Sequence, residues 1–96
     1  MIEIRETKLY AKWFDSLRDR NAQARIAVRI RRLALGNPGD AKSVGGGISE
    51  LRINYGPGYR IYFTQQGEEL TLLINGGDKD SQRGDIANVK KLLEEL

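Results

Sequence analysis

Residues 50–63 read ELRINYGPGYRIYF and hold two strand patterns on either side of a Gly-Pro-Gly turn. Polar and apolar side chains alternate in both patterns, and the apolar set is Leu51, Ile53, Ile61 and Phe63. A period of two places successive side chains on opposite faces of a sheet. Gly-Pro-Gly is typical of a tight turn. The stretch therefore predicts an antiparallel β-hairpin with one apolar face.

The flanking segments extend this hairpin into a sheet. Residues 70–74 follow a Gln-Gly turn and are apolar on both faces, which is typical of a central strand. Residues 2–7 alternate and predict a short first strand. Residues 40–47 end in three glycines and do not match the Gly-Lys-Ser/Thr pattern of a P-loop, so we interpret them as a flexible connector.

Three further segments have apolar residues at helical spacing. Residues 8–18 and 21–35 predict a helical hairpin, with Asp19 or Asn21 as the N-cap of its second helix. A terminal helix follows Asp80 or Ser81, and its apolar face is Ile86, Val89, Leu92, Leu93 and Leu96. The predicted order is β-α-α-β-β-β-α. We expect one α+β domain over residues 1–96, an antiparallel sheet with its helices on one face.

The composition excludes several kinds of chemistry. The 96 residues include no cysteine and no histidine, which rules out Cys/His zinc sites, thiol nucleophiles, disulfides and histidine acid–base catalysis. We expect no metal and no cofactor. The N-terminal residues do not form a signal peptide, and no apolar run approaches the roughly 18 residues of a membrane span, so we expect a cytoplasmic protein without a membrane partner.

Positive charge is concentrated near the N-terminus. Residues 1–35 hold nine basic and four acidic residues, although the net charge of the whole chain is only +3. On the second predicted helix, Arg25, Arg29 and Arg32 fall within an arc of roughly 60°. This arc is either a solvated helix face, a surface that follows RNA phosphates, or a dock for an acidic partner segment, and the sequence does not separate these readings.

The polar face of the predicted hairpin suggests a phosphate site. If helices cover the apolar face, the opposite face displays Glu50, Arg52, Asn54, Arg60, Tyr62 and Thr64. Arg52 and Arg60 lie on neighbouring strands, and Lys79 follows the third strand of the meander. We expect these three cations to converge where they can bind a phosphate group.

Such a site suits RNA cleavage, in which the substrate's own 2′-hydroxyl attacks the next phosphate. The protein then has to position the strand and stabilise the charge of the phosphorane. We assign transition-state charge to Arg60, phosphate binding to Arg52, and charge or proton transfer to Lys79. Glu50 and Tyr62 are the other candidate proton carriers.

Several stretches together resemble a known family. They are Glu50-Leu51-Arg52, residues 56–63 (GPGYRIYF), residues 72–79 (LLINGGDK), Gln82, and Asp85-Ile86. With the Trp13-Phe14 helix and the arginine-rich second helix, they resemble the addiction-module killer proteins, the HigB-like, phage Gp49-like branch of the RelE/ParE superfamily. The resemblance covers nearly the whole chain.

The resemblance implies a RelE-like fold, with the helical hairpin on one face of the sheet and a C-terminal helix. It implies the toxin of a type II toxin–antitoxin system, a ribosome-dependent mRNA endonuclease that inhibits translation. The partner it implies is a cognate antitoxin, often a helix-turn-helix DNA-binding protein. Arg60, Lys79 and Arg52 match the family's basic positions. The candidate substrate-binding residues are Tyr62, Glu50, Arg83, Arg25, Arg29 and Arg32.

The chain departs from some relatives at its end, because residues 80–96 contain no tyrosine or histidine. The general acid and base are therefore not identified from the sequence. Two alternatives stay open: a ParE-like inhibitor of DNA gyrase, and a non-catalytic module that binds RNA or an antitoxin. One fold serves all three functions.

Overall fold

A computed structural model of the chain describes residues 1–95. Its elements are β1 (Glu3–Glu6), α1 (Lys8–Ser16), α2 (Arg20–Ala34), β2 (Ala41–Gly45), β3 (Ile48–Ile53), β4 (Tyr59–Gln66), β5 (Leu70–Gly77) and α3 (Gln82–Glu95). The predicted α+β class and RelE-like layout are confirmed, with one strand more than expected. No helix within this range is long and apolar enough to cross a bilayer.

The strands form one five-stranded sheet in the order β1-β5-β4-β3-β2. The predicted meander is confirmed, because β3, β4 and β5 pair antiparallel in sequence order. The sheet is not antiparallel throughout, since β1 runs parallel to β5. The helices carry the chain from β1 to the far edge, and the antiparallel strands then bring β5 back beside β1 in the same direction.

The prediction of a connector at residues 40–47 is wrong for most of that segment. Residues Ala41–Gly45 form the edge strand β2, which pairs antiparallel with β3. Apolar and polar residues do not alternate regularly along β2, and only Ala41 and Val44 of its residues are partly buried. The three glycines are the turn between β2 and β3, with φ values of +90°, +66° and +78° at Gly45, Gly46 and Gly47. Glycine adopts this left-handed region without a steric cost.

The first core lies between the helical hairpin and one face of the sheet. It is built from Tyr10, Ile26, Leu33, Leu51, Ile53, Ile61, Phe63 and Leu73. Trp13 packs against this core, and a Cβ on Gly76 would overlap the Trp13 indole ring. Asp19 caps α2 by accepting hydrogen bonds from the Asn21 and Ala22 amides, at 2.9 and 3.2 Å. Of the two predicted N-caps, Asp19 and Asn21, the structure therefore shows Asp19.

The expectation that all helices share one face of the sheet is wrong. Helix α3 packs on the opposite face, where Ile48, Tyr62, Ile74 and Val89 form a second core. Helices α1 and α2 already cover the first face of the sheet, so the apolar stripe of α3 is buried against the second face. Leu96, the last residue of the predicted stripe, lies outside the described residues.

The second core changes what the polar face of the hairpin displays. The prediction that Glu50, Tyr62 and Thr64 lie at the surface is wrong, because α3 covers this part of the sheet and their exposed fractions are 2%, 0% and 8%. Arg52 and Arg60 lie farther along the same face and remain partly exposed. The open surface is therefore confined to one end of the sheet.

Candidate functional site

The uncovered end of the sheet contains a cleft of about 460 Å³ that brings the three predicted cations together. Arg52 and Arg60 occupy paired positions on β3 and β4, so both side chains leave the same face side by side. Lys79 follows β5 and is exposed. The cleft is lined by these three residues, by Asp40, Ile53 and Asn54, and by the turn at residues 56–58.

The turn between β3 and β4 lies against both Lys79 and Arg60. Gly58 has a φ of +79°, and the position of a Cβ there lies 3.3 Å from the Lys79 Cβ and 3.7 Å from Arg60 Nη1. The Lys79 amide donates to the Pro57 carbonyl at 3.4 Å. A side chain at position 58 would crowd the Lys79 Cβ and touch the Arg60 guanidinium, and glycine adopts this positive φ without a steric cost.

Arg60 is held mainly by its own turn. Its Nη1 donates to the Gly58 and Tyr59 carbonyls at 3.3 and 3.4 Å, which are long hydrogen bonds. Its Nε is buried and has no hydrogen-bond partner among residues 1–95. Gly77 is paired with Arg60 on β5, and a Cβ on Gly77 would overlap the Asp85 carboxylate. Burying an unpaired donor costs stability, so the hydrogen bonds of the Arg60 side chain contribute little to the fold.

Asp40 is the cleft residue that sequence reasoning missed. Its Oδ1 accepts from Arg52 Nε at 3.1 Å and lies 3.0 Å from Arg52 Nη2, and both side chains are partly exposed. The Arg52 amide also donates to the Asp40 carbonyl at 2.9 Å. Asp40 precedes β2, and no sequence pattern predicts the pairing of β2 with β3 that brings Asp40 beside Arg52. The cleft thus contains one carboxylate among three cations.

Comparison with known proteins identifies the family. The family model for phage-derived Gp49-like proteins matches residues 12–96, which include every cleft residue. The chain belongs to the Gp49-like family. It is also 46% identical over 95 residues to a Haemophilus influenzae protein described as an uncharacterized protein, covering 99% of this chain and 96% of that relative.

In this Gp49-like chain, Arg29 supports the cleft from behind. Its Nη1 donates to the Arg52 carbonyl at 2.6 Å, and its Nη2 donates to the Pro38 and Asp40 carbonyls, each at 3.1 Å. Binding of RNA phosphates is one of the three interpretations of Arg29 that the sequence leaves open. The structure instead directs its guanidinium to three backbone carbonyls, which fixes the chain on both sides of the Asp40–Arg52 pair.

The other basic candidates of the Gp49-like chain lie outside the cleft. Arg25 and Arg32 line a separate groove on α2, together with Arg29 and Tyr55. Arg83 is exposed on the first turn of α3 and lines neither the cleft nor this groove. The structure therefore separates the predicted substrate-binding residues into different surfaces.

Glu50 and Tyr62 do not line the cleft either. Gln82, the first residue of α3, donates from Nε2 to both Glu50 carboxylate oxygens, at 3.0 and 2.8 Å. The Tyr62 hydroxyl is buried without a hydrogen-bond partner in the described range. Burial, and to a lesser degree the charge of Glu50, raise the Tyr62 pKa well above its usual value. The proton carriers that line the cleft are therefore Asp40 and Lys79.

The Glu50–Gln82 contact predicts a stability effect. Replacing Gln82 by leucine leaves a buried carboxylate without its side-chain donor, and we expect urea denaturation to show a loss of about 1–3 kcal/mol. The double variant Glu50→Leu/Gln82→Leu removes both partners and is expected to recover most of that loss. Equal stability of Gln82→Leu and the unsubstituted chain would contradict this account.

Proposed function

We propose that this Gp49-like chain is the toxin of a type II toxin–antitoxin pair, a metal-independent endoribonuclease that cuts mRNA on the translating ribosome. The observation that carries the proposal is the cleft itself, which Arg52, Arg60 and Lys79 line together with one carboxylate that is paired with Arg52. Cationic side chains bind phosphate and stabilise its developing charge, and a carboxylate accepts a proton.

The cleft residues can be assigned to the steps of cleavage. Asp40 accepts the proton of the 2′-hydroxyl, whose oxygen then attacks the adjacent phosphorus. Arg60 stabilises the extra negative charge of the phosphorane, and Arg52 holds a non-bridging phosphate oxygen. As the bond from phosphorus to the 5′-oxygen breaks, Lys79 gives that oxygen a proton. The products are a 2′,3′-cyclic phosphate and a 5′-hydroxyl.

The resemblance to the RelE branch supports the ribosome as the place of action and an antitoxin as the partner. A ribosome orders the mRNA strand, which supplies part of the positioning that a small protein otherwise has to provide. Both expectations place the protein in the cytoplasm. The antitoxin expected from the resemblance is a helix-turn-helix DNA-binding protein.

Inducing the chain in growing bacteria tests the proposal. We expect new mRNA 5′ ends inside translated codons, bearing 5′-hydroxyl groups, while DNA supercoiling stays unchanged. Loss of supercoiling without new ends would instead indicate a gyrase inhibitor. No growth effect and no new ends would indicate a non-catalytic binding module. Either result would overturn the nuclease proposal.

A further inference from the structure

A second hollow of about 610 Å³ lies between α2 and the end of β3. Its lining includes Asn21, Arg25, Arg29, Arg32, Asn54 and Tyr55, and we call it the Tyr55 groove. Ile53 and Asn54 line both this groove and the cleft, so the two hollows adjoin at the end of β3. A strand bound in the cleft can therefore continue into the groove.

The groove contains a flat stacking surface that is held in place. The Arg25 guanidinium carbon lies 4.4 Å from the centre of the Tyr55 ring. The Tyr55 hydroxyl donates to Asp19 Oδ2 at 2.9 Å, and Asp19 is itself fixed as the N-cap of α2. Arg25 is exposed, so its outer surface is open to a ligand.

We propose that the Tyr55 groove is a subsite for a nucleobase of single-stranded RNA, stacked on the Arg25–Tyr55 pair. This inference rests on the nuclease function proposed above, since the same strand places a phosphate in the cleft. Bases of single-stranded RNA stack on aromatic rings and on arginine planes. The exposed Asn21 and Asn54 have amide groups that can both donate to and accept from a base edge.

The chemistry of the groove favours RNA over an acidic protein segment. Arginines alone attract carboxylates and phosphates alike. A ring with a guanidinium over it, flanked by neutral amides, instead matches a planar ligand with polar edges. Arg29 directs its guanidinium to backbone carbonyls, so the groove has fewer cations for ion pairing than the sequence suggests.

The test measures binding of a fluorescein-labelled RNA nonamer in which every 2′-hydroxyl is methylated, so that it cannot be cleaved. The protein variants are Tyr55→Leu, which removes the ring, and Tyr55→Phe, which keeps the ring and loses the bond to Asp19. Arg31→Ala is the control, because Arg31 lies on α2 beside a different hollow that contains Ile4 and Tyr10. A series of nonamers lacking one base at successive positions completes the set.

We expect Tyr55→Leu to weaken binding about tenfold, which is the size of a base–aromatic stack. Its salt dependence should not change, because no charge is removed. Tyr55→Phe and Arg31→Ala should stay within about twofold of the unsubstituted chain. Removing the base at one position of the nonamer should weaken binding to the unsubstituted chain about tenfold. The same removal should not weaken binding to Tyr55→Leu.

Two results would overturn the subsite. In the first, removal of any base has the same effect with and without the Tyr55 ring. In the second, Tyr55→Leu weakens the binding of a polyglutamate peptide but not the binding of RNA, which assigns the groove to an acidic protein. Failure of the nuclease proposal is seen separately, as missing mRNA ends in induced cells. A subsite failure leaves those ends in place.

Discussion

Replacing Arg60 by alanine is expected to lower the rate of RNA cleavage by about 10²–10³-fold. This is the loss that follows when one preorganised donor to a developing oxyanion is removed. The measurement is cleavage of mRNA on programmed ribosomes, followed by the appearance of 5′-hydroxyl ends. Arg60→Lys keeps the charge but loses the planar fork, so we expect it to recover only part of the rate.

The same variant should fold as well as the unsubstituted chain. Arg60 makes only two long hydrogen bonds to its own turn, and its buried Nε has no partner among residues 1–95. Removing such a donor does not remove a net stabilising contact, so Tm is expected to stay within a few degrees. This combination of lost activity and kept stability separates a functional residue from a structural one.

Arg31→Ala is the matched control for Arg60→Ala. It removes the same charge from an exposed position outside the cleft. Its cleavage rate should equal that of the unsubstituted chain. If Arg31→Ala lost as much activity as Arg60→Ala, net charge would explain the effect. If Arg60→Ala kept its activity, the assignment of transition-state charge would fail.

The three cations of the cleft could be predicted from the sequence, because their positions follow from the strand pattern. Alternation places Arg52 and Arg60 on one face, and a tight turn makes the two strands neighbours, so their pairing follows. Lys79 joins them because it comes directly after the next strand of the meander. These relations are local in the sheet and need no knowledge of how the helices pack.

The position of α3 could not be predicted in the same way. A helix with one apolar stripe fits either face of a sheet, and the stripe alone does not choose. The signal that favours the second face is β5, where the run 70–74 is apolar on both sides. Buried Leu73 belongs to the first core and buried Ile74 to the second. If α3 is assigned to the first face, the second face is left open, and the sequence then predicts Glu50 and Tyr62 at the surface.

Asp40 and Arg29 show a different limit of sequence reasoning. Their contacts join the chain before β2 to the end of β3 and to α2, across segments with no shared periodicity. Helical spacing gives the direction in which Arg29 leaves α2, but not the carbonyls that its long side chain reaches. Such contacts depend on tertiary packing.

Asp40→Asn is expected to lower cleavage about 100-fold or more, because an amide cannot accept the proton of the attacking hydroxyl. Asparagine keeps an oxygen that can accept from Arg52, so the cleft geometry should be retained. Affinity for the 2′-O-methylated nonamer should rise, because the substitution removes a negative charge from the site that binds phosphate. Asp15→Asn, an exposed change on α1, is the control for loss of one carboxylate.

The direction of the rate change decides what Asp40 does. If its carboxylate only neutralises Arg52, then Asp40→Asn frees that guanidinium for phosphate, and cleavage becomes faster as binding becomes tighter. If the carboxylate is the general base, cleavage falls although binding improves. Opposite changes in rate and affinity from one substitution cannot come from a misfolded cleft, because misfolding weakens both. A faster Asp40→Asn variant would leave the cleft as a phosphate site and require the base to come from elsewhere, such as the ribosome or the RNA.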